Sequence, residues 1–306
     1  MTELNAPARV EPSEDWAHYK IWCKVRDIIY SLPNYFETEL VIKGINVTEV
    51  FSVGGVFSSV VESQVVAILN NLRNLWDPDN EYAEYAFVRQ SQTFPDVLLT
   101  SLRETDNILF GIELKSWYVL SKEGEPSFRY TITPEACAEA DLLVVIPWIL
   151  SDVISGSPRL LSPYVELARY AAEYRNYYWQ QSRIRSGKNP TIRKPPEEYR
   201  RPYPTSKQEA SDEAEDDKGR NFGRVARAGI LDEYVATIKD QEYLGIKIRH
   251  WISFFKAIAE TRADEEIEQR LSFLANQIRQ RQDISLERQR IFLEILERLN
   301  QLWFES

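Results

Sequence analysis

Histidine and cysteine are nearly missing: a chain of 306 residues carries two of each, His18, His250, Cys23 and Cys137. The cysteines stand far apart without zinc-like spacing. A chain so poor in both types offers no zinc ligand set, no Cys/His nucleophile pair and no histidine-metal nuclease motif. Two lone cysteines fit a reducing cytoplasm, where disulfides do not persist. Also missing are G-x-x-x-x-G-K-[ST] and G-x-G-x-x-G, so ATP-driven work and dinucleotide binding have no support and no nucleotide cofactor is expected. The longest apolar run, Leu142 to Leu150, is far short of the roughly 20 residues that cross a bilayer. The start, MTELNAPARVEPSED, has neither the basic segment nor the apolar stretch of a signal peptide, so neither membrane nor secretion is expected. No internal repeat is visible. What remains for chemistry is carboxylate, lysine and hydroxyl.

About 43% of the residues are hydrophobic and 12% aromatic, enough to bury a core in one large domain or a domain with an appendage. Residues 1–54 read as an N-terminal helix and extended stretches packing on the core. Ser13, Glu14 and Asp15 form a cap and acidic first turn, and Trp16, Tyr19, Trp22, Val25 and Ile29 recur at helical spacing until Pro33. Residues 55–182 form the core: a helix from 55 to Asp77-Pro78, then the strand runs YAFVRQ, PDVLLTS and NILFGIELKSW. A hairpin is expected over YVLSKEGEPSFRYTI, then a short helix from Thr133-Pro134-Glu135 through Ala140, then the doubly buried strand DLLVVIPWIL. Ser162-Pro163 opens a further helix, whose tyrosines, Tyr164, Tyr170, Tyr174, Tyr177 and Tyr178, read as core ahead of the other reading, stacking platforms for bases. Residues 183–220 lose all periodicity and read as a long basic and acidic loop, partly disordered. Residues 221–306 read as helices: Phe222 to about Lys239, Tyr243 to about Gln282 with a break near Arg262, and Ser285 to Phe304.

Two acids interrupt the apolar strands. In NILFGIELK, Ile108, Phe110, Ile112 and Leu114 share one face, while Leu109, Gly111, Glu113 and Lys115 share the other. A symmetric turn between Glu104 and Thr105 sets Asp96 directly opposite Glu113. Opposed residues of an antiparallel pair have Cβ atoms about 4.5–5.5 Å apart, and like charges there repel. A divalent cation with oxygen ligands would compensate, and Mg²⁺ favours one or two carboxylates completed by water and phosphate oxygens. Lys115, on the same face, adds an ammonium beside the same spot. Two acids, a lysine and a hard cation are the ingredients for attack by water on a phosphodiester. The other reading of these residues is a salt-bridge cluster on a solvated sheet face.

Pro95-Asp96 followed by Glu113-Leu114-Lys115 resembles the PD-(D/E)XK motif of the restriction-endonuclease-like nuclease superfamily, and the order helix, three strands, helix, strand over residues 55–150 resembles that family's core. The resemblance implies an α/β fold with a mixed central sheet flanked by helices, plus a mainly helical C-terminal part. It also implies Asp96 and Glu113 as Mg²⁺ ligands, the Leu114 main-chain carbonyl as a further ligand, Lys115 as the residue that positions or activates the water, and Glu62 on the preceding helix as an auxiliary acid. Glu62 also reads as a solvated helix residue. The resemblance leaves residues 160–306 unassigned.

A formal net charge of -10 opposes nucleic-acid binding if spread evenly. It is not: Glu209, Asp212, Glu213, Glu215, Asp216 and Asp217 crowd one loop and Glu3, Glu11, Glu14 and Asp15 the N-terminus, leaving 37 acids against 37 bases elsewhere. The basic stretch RIRSGKNPTIRKPPEEYRRPYP reads as a phosphate contact or a solvated linker. Arg220, Arg224 and Arg227, at helical spacings, read as DNA-binding or as a solvated helix face. The last helix, with Ile291, Leu293, Ile295, Leu296, Leu299, Leu302 and Trp303, has more apolar positions than one face needs, which suits a homodimer or an intramolecular bundle. The expectation is a Mg²⁺-dependent endonuclease acting on double-stranded DNA, of type II restriction character. A repair or defence nuclease of the same fold, and a non-catalytic DNA-binding protein of this fold, stand as alternatives.

Overall fold

The computed structural model describes residues 4–43, 53–217, 221–259, 264–281 and 285–304. Helix α1 (Tyr19–Ser31) buries Ile21, Trp22, Val25, Ile28 and Ile29, the spacing of a helix packed on one side. It starts later than expected, because Ser13 Oγ accepts from the Asp15 amide (3.2 Å) in a preceding turn rather than capping the helix. Helix α2 (Val53–Asn71) breaks at Leu72 and resumes as the single turn α3 (Arg73–Trp76). The Asn70 amide donates to the Phe87 carbonyl (2.8 Å) and accepts from the Phe87 amide (2.9 Å), fastening α2 to the first strand.

The sheet is mixed and six-stranded. Strands β1 (Tyr85–Arg89), β2 (Val97–Ser101) and β3 (Ile108–Tyr118) form an antiparallel meander, and β4 (Leu142–Leu150) lies parallel to β3. The short β5 (Pro158–Leu160) and β6 (Tyr164–Leu167) share the other edge of β4, both antiparallel. All nine residues of β4 are buried, as its unbroken aliphatic run requires. The fold is therefore α/β around a mixed sheet.

Several connections differ from expectation. The segment after Tyr118 is no hairpin; it runs irregularly until Ile132 bridges Ser211. The helix expected through Ala140 is a 3-10 turn, Pro134–Ala136, because the Thr133 hydroxyl donates to Glu135 Oε2 (2.7 Å) instead of capping a backbone amide. After Pro163 the chain forms strand β6, paired with β4, before helix α4 (Ala168–Arg185) begins. That helix approaches the core through Ala168, Ala171, Ala172 and Arg175. The tyrosines expected in the core, Tyr170, Tyr174 and Tyr177, are instead half-buried, in ring contact at 5.8 and 6.0 Å, and Tyr178 is exposed.

Helix α4 carries the chain to Arg185, and the stretch 186–217 beyond it is a loop, but a tied one. Strands β7 (Ile192–Arg193) and β8 (Glu213–Ala214) pair, and the buried Arg175 donates to Asp212 Oδ2 (2.7 Å) and to the Tyr130 and Ile132 carbonyls (2.7 and 3.0 Å). Beyond it, a 3-10 turn (Val225–Ala228) replaces the first part of the expected Phe222–Lys239 helix, leaving α5 (Asp232–Asp240). A hairpin of β9 (Glu242–Tyr243) and β10 (Ile246–Lys247) leads to α6 (Ile248–Ala259), α7 (Asp264–Gln280) and α8 (Leu286–Phe304). The break expected near Arg262 falls outside the described residues. Phe292 and Leu296 of α8 are buried within the chain, Phe292 against Trp251 (6.0 Å between rings). Among the described residues, no helix is long and apolar enough to cross a membrane.

Candidate active site

The end of the sheet near Pro95 gathers the acidic residues. Val97, Leu98 and Leu99 pair with Ile112, Gly111 and Phe110; Asp96 and Glu113 stand one step beyond the last pair, and Lys115 and Lys207 touch both. The turn itself is not symmetric, since a bulge between Leu99 and Thr100 shifts the pairing to Thr100↔Ile108. Asp96 is fixed by backbone at both ends of the residue: its carbonyl accepts from the Gln90 amide (2.7 Å), and its Oδ2 accepts from the Leu114 amide (2.9 Å). Gly111 makes this approach possible. A Cβ there would stand 2.0 Å from Pro95 Cγ.

Lys115 joins the acids. Its Nζ lies 2.5 Å from Glu113 Oε1, 3.3 Å from Asp96 Oδ2 and 3.0 Å from the Leu114 carbonyl oxygen to which it donates. A second lysine, Lys207, closes the group from the loop side, donating to Asp96 Oδ1 (3.2 Å) and to Glu113 Oε1. The Glu113 side chain is 0% exposed, so the group is no solvated sheet face. Burial pushes the Glu113 carboxyl up; Lys115 and Lys207 pull against this and the Asp96 charge adds to it. Burial also acts upward on Asp96, but Lys115 and Lys207 outweigh it and hold that carboxyl below its ordinary value. Burial alone would lower Lys115, yet Glu113 and Asp96 raise it, keeping it an ammonium.

Glu62 stands at the edge of this group. Its carboxylate meets Arg89 Nη2 at 3.4 Å, and burial first, then the Asp96 charge, raise its pKa while Lys115 and Arg89 oppose them. Among the described residues, no three His, Cys, Asp or Glu side chains form a metal ligand set, so direct ligation would rest on Asp96 and Glu113. Two carboxylates completed by water and phosphate oxygens suit Mg²⁺. One orphan supports the fit: Glu113 Oε2 is buried with no hydrogen-bond partner, and a buried carboxylate oxygen without a donor is costly unless a cation or water meets it.

The other predicted contacts are not brought to this place. Arg220 lies outside the described residues, and only the backbone of Arg227 is described. Arg224 precedes the 3-10 turn rather than lying on an α-helix, its Nε is buried without a partner, and it lines a separate cleft of about 560 Å³ with Arg183, Lys188 and Asp217. Three of the seven bases of the basic stretch meet acids: Arg183 meets Asp216 (2.5 Å), Arg193 meets Glu213 (3.3 Å), and Lys194 meets Glu135. Two of these partners, Asp216 and Glu213, come from the acidic run.

Sequence reasoning missed Lys207. The Lys207 amide donates to the Gln92 carbonyl (3.2 Å), its carbonyl accepts from Ser211 Oγ (2.8 Å), and Ala210 and Asp212 bond the backbone of Thr133 and Thr131. These are tertiary contacts with no local periodicity, so no signal in the sequence marked Lys207. A cleft of about 650 Å³, lined by Gln92, Arg129, Thr131, Lys207 and Phe222, opens beside it. Comparison with protein-family models, with curated proteins and with solved structures found nothing that matches this chain.

Proposed function

We propose that the chain is a Mg²⁺-dependent endonuclease that hydrolyses double-stranded DNA, built on a restriction-endonuclease-like core, and specifically a type II restriction enzyme. One observation carries the proposal: Asp96 and Glu113 converge beneath the Lys115 ammonium, with a buried, unpartnered oxygen on Glu113. The order α2, β1, β2, β3, β4 adds support, although a 3-10 turn replaces the family's second helix.

Asp96, Glu113 and the Leu114 carbonyl would hold Mg²⁺. Bound there, the ion would supply a Lewis acid that stabilises charge on the scissile phosphate and eases proton loss from water. Lys115 spends its three N–H donors on Glu113, Asp96 and the Leu114 carbonyl, so its fixed positive charge would favour charge developing on the phosphate, and a direct hydrogen bond to it would require one of those contacts to be released. Glu62, half-buried nearby, would orient a water as an auxiliary acid. The cleft beside Lys207, lined by Arg129 but also by Asp212, Glu213 and Asp217, adjoins this end of the sheet and would be the approach for a nucleic-acid backbone. Cutting both strands of a symmetric site would call for a two-fold dimer.

The test is incubation of mixed plasmid and phage DNA with the protein and with Lys115→Ala, in Mg²⁺ or EDTA. Discrete bands are expected with Mg²⁺ and unaltered protein only. Equal digestion by the variant would remove Lys115 from the mechanism, and smearing would favour a repair or defence nuclease. A second reading rests on the saturation of the acid pair by two lysines: a DNA-binding protein of this fold in which the cluster is structural. DNA affinity indifferent to EDTA, with no cleavage, would support it.

A further inference from the structure

We propose that Lys207 is a built-in competitor for the divalent ion: its ammonium bridges Asp96 and Glu113 when no ion is bound, and ion binding must displace it. The inference rests on the proposed nuclease function and adds a residue that sets the ion affinity of the site.

Charge and geometry lead to it separately. With Lys115 alone, the buried Glu113 and half-buried Asp96 carboxylates would leave one uncompensated negative charge; Lys207 makes the group neutral. A divalent ion added to that neutral group would leave two excess positive charges among largely buried side chains, which is unfavourable at low effective dielectric. An ion shared by both carboxylates needs an oxygen of Asp96. Oδ2 is held by the Leu114 amide of the strand and by Lys115, whereas Oδ1 is held by Lys207. Lys207 is therefore the donor able to yield. Its backbone is fixed by Gln92 and Ser211, but its side chain is 32% exposed, against 14% for Lys115. Rotation of a flexible four-carbon stem into the adjoining cleft suffices to vacate the carboxylates, with no movement of the loop.

The experiment reads ion binding without DNA. Mn²⁺ affinity is measured by electron paramagnetic resonance on the full chain, on Lys207→Gln and on Lys207→Arg, with Asp96→Asn registering ions bound elsewhere. Lys207→Gln is expected to bind at least about tenfold more tightly, a change of about 1.4 kcal/mol. It should also melt at lower temperature than the unaltered protein without ion and gain more from Mn²⁺. Lys207→Arg, which keeps the charge, should stay near the unaltered affinity. Equal or weaker binding by a folded Lys207→Gln overturns the proposal while leaving the nuclease reading intact. Absence of an Asp96-dependent ion in every protein overturns both.

Discussion

Alanine at Gly111 should disturb the site from a distance of one strand. The added Cβ would sit 2.0 Å from Pro95 Cγ and 3.1 Å from Asp141 Oδ1, where ordinary contact begins at 3.4 Å. Pro95 must therefore retreat by about 1.4 Å, the difference between 3.4 and 2.0 Å, and a proline ring has no flexible end to turn aside. Asp96 follows Pro95 in the chain and would be drawn away from the Leu114 amide that now holds it at 2.9 Å. Overpacking of this kind costs about 1–3 kcal/mol, and a 2 kcal/mol loss lowers the melting temperature of a chain this long by roughly 3 °C. Misplacing a reacting group by about 1 Å costs up to about 100-fold in rate. Thermal unfolding and Mg²⁺-dependent cleavage of plasmid DNA check the two effects. Melting unchanged together with cleavage at full rate would refute the reasoning that Gly111 is the gap into which the Pro95-Asp96 corner fits.

Asp141 is fully buried, accepts from the Gly111 amide (2.6 Å) and the Ala138 amide (2.7 Å), and burial pushes its carboxyl from 3.8 to about 6 against those bonds. Because the folded value is the higher one, its contribution is complete below about pH 4 and is lost as pH rises through 6. Relative to Asp141→Asn, the unaltered protein should lose about 2 kcal/mol between pH 4 and pH 7 in urea unfolding, and a pH-independent difference would contradict this. Asp212→Ala leaves the buried Arg175 guanidinium without its carboxylate, so a loss of about 3–5 kcal/mol is expected. That variant should also free the segment carrying Lys207 to proteolysis; an unchanged cleavage pattern would show that the ion pair does not anchor the loop.

Strand positions were legible because burial wrote them into the sequence. The aliphatic run from Leu142 to Leu150 became a strand buried at every position, and the alternation along the third strand put Glu113 and Lys115 on one face, where they meet. The symmetric turn expected to set Asp96 opposite Glu113 does not exist: the turn-side pair Thr100↔Ile108, carried forward, would set Asp96 opposite Ile112, and it is the bulge at Leu99/Thr100 that shifts the pairing by one residue and restores the expected register. Connections were less legible. Thr133-Pro134-Glu135 has the composition of a helix start, yet its hydroxyl is taken by Glu135 Oε2, and the chain turns once before Asp141 begins its bonds to Gly111 and Ala138. The loop that delivers Lys207 carried no periodic pattern. Its path is set by Arg175 and Asp212, 37 residues apart, a pairing that only the folded chain reveals.

The central claim is that two carboxylates from neighbouring strands share one divalent ion beside the Lys115 amine. Anomalous scattering from a crystal grown with Mn²⁺ tests it most directly. The account predicts a single strong peak between Asp96 and Glu113, about 2.1 Å from an oxygen of each, with the Lys207 ammonium withdrawn. An ion-free site with both lysines still seated on the carboxylates, at Mn²⁺ concentrations that saturate known hard-cation sites, would contradict it.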